Sequence, residues 1–226
     1  RIGYLPEERG LYADVKLWQV VMYLASLKGM SKADAAAKAE MYLKKLDLWD
    51  HRQKKLSEMS RGMHQKAQFI VTILHDPELL IVDEPFSGLD PVNTELIKNM
   101  LLELKAQGKA IVMSTHQMHQ VEAMCDRIGL IHEGHVVLAG EVDEVRRRYA
   151  GNSVEVRGTG PIPDVGDTIH SELKNGTYHL TLGADSTPQS LLKSLVSHPD
   201  IAIEHFATTL PSLNDIFIQI VGGKDE

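Results

Sequence analysis

Residues Leu79 to Asp90 hold the densest chemistry of the chain: four apolar residues, the acidic pair Asp83-Glu84, then Pro85-Phe86-Ser87-Gly88-Leu89-Asp90. Leu79 to Val82 show no apolar–polar alternation, which predicts a short buried strand. Two carboxylates at the tip of such a strand call for a counter-charge, because an ionised group in apolar surroundings is costly. A strand end emerging into water before a Pro-Gly turn would account for the same residues with no chemistry at all.

Two flanking segments bear on that choice. Upstream, Met59-Ser60-Arg61-Gly62-Met63-His64-Gln65-Lys66 opens a stretch with helical character. Downstream, Ala110 to Met113 form a second apolar strand, followed by Ser114-Thr115-His116. Their order and spacing resemble the ABC-type ATPase domain. The octet from Met59 resembles the signature motif, Leu79 to Glu84 resemble Walker B, and Ser87 to Asp90 resemble the D-loop. His116 stands as the switch histidine does. Ile2-Gly3-Tyr4-Leu5-Pro6-Glu7 resembles the approach to the Q-loop, with Glu7 where the family usually carries glutamine. The resemblance runs from residue 1 to about residue 140.

That resemblance implies ATP and Mg2+ as cofactors. Hydrolysis of ATP asks for a metal on the phosphates, a polarised water and compensation for charge spreading over the γ-phosphate. Asp83 would hold the magnesium ion, usually through water, and Glu84 would act as general base toward the attacking water. His116 would donate a hydrogen bond to the γ-phosphate. Glu7 keeps an oxygen for magnesium or water but lacks the amide donor, and Glu8 is the alternative residue to point inward. Ser60, Arg61, Gly62 and Met63 would bind the nucleotide of the opposite subunit, with Arg61 in place of the family's first glycine and Met63 in place of its glutamine. Ser87 and Asp90 would cross the same interface. Each site then needs two copies of the subunit, so a homodimer is implied. The segment through Leu11 and Tyr12 would face the coupling helix of a membrane permease.

A Walker A loop requires Gly-x-x-x-x-Gly-Lys followed by Ser or Thr. Only Gly108-Lys109 and Gly223-Lys224 occur, and neither has the earlier glycine or the following hydroxyl. The chain also opens on Arg1. It is therefore expected to be a fragment of a longer ATP-hydrolysing subunit that powers an ABC-type exporter, and to be inactive alone. Its exposed strand edges would favour an oligomer or a domain-swapped arrangement. The alternative is a non-catalytic regulatory or dimerisation module derived from such an ATPase. A chromosome-maintenance or DNA-repair ATPase would insert long coiled coils before the signature, and here the interval holds two short helices.

The elements around these motifs read as α/β: an incomplete P-loop NTPase core with a helical subdomain over residues 1–150, then a small α+β domain over 151–226. Leu17, Val21 and Leu24 give one helical face, and Ala36, Ala39, Leu43 and Leu46 a second, with Ser31 and Asp34 resembling a capping box. Ser60 caps the signature helix, whose buried face is read as Ala67, Ile70, Val71 and Leu74. Asp90-Pro91 starts a helix that ends at Gly108. A short helix reaches Cys125, and Ile128–Ile131 and Val136–Ala139 pair around Glu133-Gly134. Glu141 to Tyr149 form a helix. Gly151-Asn152-Ser153 and the Gly158 to Gly166 stretch mark a boundary region. Strands are expected near 153–157, 168–174, 177–182 and 201–207, with helices near 187–197 and 211–221. Leu210-Pro211-Ser212-Leu213-Asn214-Asp215-Ile216-Phe217 is similar to the tail domain of some bacterial drug- or sodium-exporter subunits.

Composition agrees with a globular chain of 226 residues, 43% hydrophobic and 24% charged. Cys125 is its only cysteine, so no internal disulfide forms, and a cytoplasmic location beside the membrane permease is expected. No apolar run reaches the roughly 18 residues of a membrane span. The net charge of -7 is unevenly placed: residues 1–150 carry 20 Lys and Arg against 21 Asp and Glu, residues 151–226 only 4 against 10. An acidic tail argues against nucleic-acid or anionic-lipid binding there. Arg146-Arg147-Arg148 reads as a solvated helix end complementing the dipole. His116-x-x-His119 and His132-x-x-His135, with Cys125 between, offer a zinc reading, but structural zinc sites show tighter, Cys-rich spacing.

Overall fold

The structure, a computed structural model, describes residues 1–8, 10–150, 152–159, 168–183, 186–199 and 201–222. Contacts along the chain divide it into two compact units, Arg1–His116 and Gln117–Glu226.

The first unit is built on three parallel strands, β1 (Ile2–Leu5), β2 (Leu79–Asp83) and β3 (Ala110–Ser114), in the order β1-β2-β3. Leu5 pairs with Val82, Val82 with Met113 and Asp83 with Ser114. This register lines up the carboxyl ends of all three strands, so Glu7, Glu84 and His116 all lie just past the same sheet edge. Open parallel sheets bind ligands at that edge.

One face of this sheet is buried through Leu5, Leu80 and Val82. The other is not: Ile81, expected to be buried, is 36% exposed, and Tyr4 and Val112 in register with it are exposed too. The four apolar residues of β2 therefore alternate in burial after all, because among the described residues nothing covers the outer face.

Helices α1 (Leu17–Leu27), α2 (Lys32–Lys45) and α3 (Arg61–Ile73) form the helical part. Ser31 caps α2 by accepting from Asp34 N at 3.1 Å. Leu17, Val20 and Val21 of α1 meet Ala39 and Leu43 of α2 and Phe69, Ile70 and Ile73 of α3 in one core. The buried surface of α3 is wider than its apolar stripe. Gln65, Lys66, Gln68 and Thr72 are buried as well, whereas Val71 is only half-buried. Helix α4 (Pro91–Ala106) starts on the Asp90 cap and is terminated by Gly108, whose φ of 83° suits glycine.

The second unit begins with α5 (Met118–Met124), the hairpin β4 (Arg127–His132) and β5 (His135–Glu141), and α6 (Val142–Arg148). Glu133 and Gly134 turn the hairpin with φ of 48° and 76°. Strands β6 (Asn152–Thr159), β7 (Thr168–Lys174), β8 (Thr177–Leu182) and β9 (Ala202–Thr208) make an antiparallel sheet ordered β7-β8-β6-β9. Helix α7 (Pro188–Val196) buries Leu191 and Leu195 against Val154, Val156, Leu180 and Leu182.

Helix α8 (Leu213–Gly222) packs on α5, where Glu122 Oε1 accepts from Leu213 N at 2.5 Å. Arg146 is no free helix-end cation: its Nε donates to the carbonyl of Pro211 at 3.0 Å, and it lies 3.9 Å from Glu122. These ties group residues 117–150 with the tail, so the packing break falls at 116/117, upstream of residue 150. Most of the expected boundary stretch, residues 160–166, lies outside the described residues.

Candidate functional site

Glu84 sits immediately beyond β2 with a left-handed φ of 42°. A residue with a Cβ pays about 1–2 kcal/mol for that conformation. The turn sends its side chain across to the end of β3. There Oε1 accepts from His116 N at 2.8 Å and from His116 Nδ1 at 2.7 Å, while Oε2 accepts from Thr115 Oγ1 at 3.1 Å. The backbone closes the same link, with Glu84 N donating to Ser114 O at 3.0 Å. Glu84 is 8% exposed, and three donors meet the solvation need of its carboxylate.

This geometry fixes which ring nitrogen of His116 carries a proton toward Glu84. A carboxylate only accepts, so Nδ1 carries the proton and the neutral ring leaves Nε2 as an acceptor. The side chain is 83% exposed, so Nε2 is reachable. Donation through Nε2 then requires the imidazolium. Asp83, one residue back, accepts from the Ser114 hydroxyl.

A second group forms around the start of α3. Ser60 Oγ accepts from Met63 N at 3.3 Å, capping the helix. Arg61 Nη2 donates to Ser87 Oγ at 3.4 Å. Its stem lies over Gly88, where a Cβ would come within 2.6 Å of Arg61 Nε and where φ is 73°. Glycine at 88 is therefore favoured by its conformation, and a Cβ there would also displace the Arg61 side chain. An open hollow of about 550 Å3 is lined by Glu7, Glu8, Arg61 and Ser87. Glu7 and Glu8 thus face the same space, so the choice between them stays with the chemistry.

Asp90 is engaged locally. Its carboxylate accepts from Asn93 N at 3.0 Å and from Asn93 Nδ2 at 2.5 Å, which holds it below the usual carboxylate range. Asn93 in turn accepts from the buried Lys66 Nζ at 3.1 Å.

Of the residues singled out from sequence, the structure joins Asp83, Glu84 and His116 at one strand edge, and Arg61, Ser87 and Glu7 around one hollow. Among the described residues there is no group of three or more His, Cys, Asp or Glu able to hold a metal ion. The donors present fit magnesium–nucleotide only in part. Asp83 is a hard oxygen ligand at a strand end, and the first amides of α3 suit an anion. A lysine-bearing phosphate loop is not in the sequence.

Sequence reasoning passed over Thr115, Gln65 and Gln68. Gln65 Nε2 donates to the carbonyl of Pro85 at 3.1 Å, and Gln68 Nε2 to those of Pro6 and Glu8. The available signal was the run of polar residues 65, 68 and 72, which recurs at helical spacing among apolar ones.

Residues 140–221 match the family described as ATP-binding protein DrrA1-3-like, C-terminal domain. Residues 17–121 match an AAA domain family described as putative AbiEii toxin, Type IV TA system. An uncharacterized ABC transporter ATP-binding protein of Alkalihalophilus pseudofirmus is 37% identical over 98% of this chain and 83% of its own. YhaQ of Bacillus subtilis, similarly described, is 38% identical over all of this chain and 76% of its own. The linearmycin resistance ATP-binding protein LnrL of Bacillus subtilis is 27% identical over 98% of this chain and 75% of its own. A solved structure of the ATP-binding subunit of an ABC transporter superposes with a TM-score of 0.62 at 32% identity, covering 66% of this chain and 62% of that one. The chain belongs to the family of ABC transporter ATP-binding proteins.

Proposed function

We propose that this chain forms the signature, Walker B and switch portion of an ATPase subunit that drives an ABC-type exporter. The observation that carries the reading is the acidic pair at the end of β2, with Glu84 held by Thr115 and His116 of the neighbouring strand. Asp83 and Glu7 would hold the metal, which brings neutralisation of phosphate charge to the site. Glu84 accepts the proton of the attacking water. His116 orients Glu84 through Nδ1 and presents Nε2 outward. Ser60, Arg61, Gly62 and Met63 present α3 amides and a guanidinium to an anion carried by a second copy, with Ser87 and Asp90 beside them.

The exporter assignment rests on the named likenesses, a resistance ATP-binding protein among them. A permease segment would dock in the apolar cleft of about 500 Å3 lined by Leu11, Leu24, Leu27 and Val71. The subunit would then sit on the cytoplasmic face of its membrane. No helix among the described residues is long and apolar enough to cross a membrane.

These 226 residues contain no phosphate loop, so the chain by itself is expected not to turn over ATP. The same observation favours a second reading, a non-catalytic dimerisation or regulatory module. Phosphate release separates them. The full-length subunit carrying this chain should show magnesium-dependent hydrolysis that falls about 10²–10⁴-fold in Glu84→Gln, the usual contribution of a general base. Hydrolysis unaffected by Glu84→Gln would refute the catalytic assignment, and none from the full-length subunit would favour the module.

A further inference from the structure

We infer that Gln68 is a positioning residue for Glu7: from the middle of α3, its amide holds both carbonyls that bracket this carboxylate. Nε2 donates to Pro6 O at 3.2 Å and to Glu8 O at 2.9 Å. Both hydrogens are therefore used on loop carbonyls, and Gln68 is 3% exposed. Turned over, the amide would set Oε1 against two carbonyl oxygens, so the loop dictates its orientation. The consequence is an orphan: Oε1 is buried without a hydrogen-bond partner among the described residues. A buried acceptor left unsatisfied asks for a reason, and here the reason is the grip at the other end of the amide.

The grip is reinforced one turn along the helix. Thr72 Oγ1 shares its one proton between Gln68 O at 2.9 Å and Tyr4 O at 3.2 Å. Gly3 abuts the same turn so closely that a Cβ there would lie 2.5 Å from Thr72 O. Strand β1 and the loop after it are thus pinned to α3 at Gly3, Tyr4, Pro6 and Glu8. Glu7 has its backbone secured on both sides while it lines the hollow with Arg61, which starts the same helix. A movement of α3 along its axis carries Arg61 and Glu7 together. The consequence for metal binding rests on the function proposed above, and the strut itself does not.

Two variants test it by backbone 15N relaxation, read as order parameters for Glu7, Glu8 and Gly10 with residues 80–83 of β2 as reference. Gln68→Met keeps the volume and loses both donors. Order parameters at Glu7, Glu8 and Gly10 should fall toward the flexible range, below about 0.6, while β2 stays near the rigid value of about 0.85. Gln68→Glu replaces the donor with an oxygen that repels the carbonyls when ionised and donates once when protonated. Its loop should therefore be loose at pH 8 and recover toward the parent at pH 5, a response that a space-filling role does not confer. Unchanged order parameters, an equal loss in β2, or a Gln68→Glu variant indifferent to pH would overturn the strut. In the full-length subunit, Gln68→Met should raise half-saturating Mg2+ at least threefold with little change in kcat, and Glu7→Ala should raise it at least as much. If Glu7→Ala leaves the Mg2+ requirement untouched while the relaxation pattern holds, the metal role of Glu7 fails and the strut stands.

Discussion

Removing the Glu84 carboxylate should free the switch loop before it does anything else. In Glu84→Ala the Thr115 hydroxyl, the His116 amide and His116 Nδ1 all lose their acceptor. Hydrogen bonds to a charged group contribute about 1.5–3 kcal/mol each, against about 1 kcal/mol for neutral ones. His116 is largely exposed, so water replaces part of what is lost and the lower end applies. Two bonds at about 1.5 kcal/mol each on His116 amount to about 3 kcal/mol, or roughly a hundredfold in the opening equilibrium at 1.4 kcal/mol per tenfold.

Global stability should change by less than this. The substitution also removes a carboxylate whose burial carried a desolvation cost, which offsets part of the loss. It does not relieve the backbone, because alanine at a φ of 42° keeps the Cβ penalty. Glu84→Gly loses the same bonds but relieves that penalty, so it should be at least as stable as Glu84→Ala. Native-state exchange at the His116 amide measures the opening, and a urea titration measures the rest. His116 protection equal in parent and Glu84→Ala would refute the idea that this carboxylate holds the switch loop.

Phe69→Ala should cost about 3–5 kcal/mol in a urea titration, since Phe69 of α3 is fully buried; a loss under 1 kcal/mol would mean that the site collapses around the gap. Gly3→Ala forces a methyl to 2.5 Å from Thr72 O and should cost about 1–3 kcal/mol as strand and helix move apart; a neutral result would show β1 to be loosely held. Asp76 accepts from Lys109 Nζ at 2.8 Å, and that hydrogen bond holds its carboxyl below the ordinary value of 3.8. A depressed carboxyl contributes stability above its unfolded value and loses it as pH falls through the folded one. Acid titration below pH 3.8 should therefore be less steep in Asp76→Asn, a residue that also tolerates the φ of 54°; an unchanged acid limb would remove Asp76 from the account.

Local signals in the sequence reached far into this fold. The Asp90-Pro91 start and Gly108 stop of α4 are chemical punctuation, as are the Ser60 cap and the Glu133-Gly134 turn, and each forms from neighbouring residues alone. What depends on distant partners was not legible. Ile81 reads as core, yet its burial is decided by what lies over the sheet, and no local pattern records that. The Ile2–Leu5 segment is too short and too interrupted by Gly3 to announce itself as a strand, but Gly3 is what lets β1 approach Thr72. Arg146 looks like a helix-end charge until Pro211 and Glu122 are brought beside it. At the candidate site, the motif residues could be named from spacing, whereas the grip of Thr115 on Glu84 and the lean of Arg61 on Gly88 required the register of β2 against β3 and the path of α3.

The polar interior of α3 is the feature that most needs a reason. An all-apolar inner face would bury more favourable surface, but apolar contacts have no direction, and a helix seated only on them can slide or turn at small cost. Hydrogen bonds are directional, and α3 sends them to each segment that carries candidate chemistry: one from Gln65 to Pro85 beyond the acidic pair, one from Lys66 to Asn93 in the first turn of α4 beside Asp90, and two from Gln68 to the loop around Glu7. Their acceptors are a carbonyl, a side-chain amide and two further carbonyls, none of them ionised. The bonds of the two glutamines therefore contribute only about 1 kcal/mol each in net stability and that of the charged Lys66 donor about 1.5–3 kcal/mol, while each leaves a costly orphan if broken. That asymmetry suits a part that must keep register. The helix holds three segments in one relative position, and any shift at its Ser60 end is felt by all of them at once.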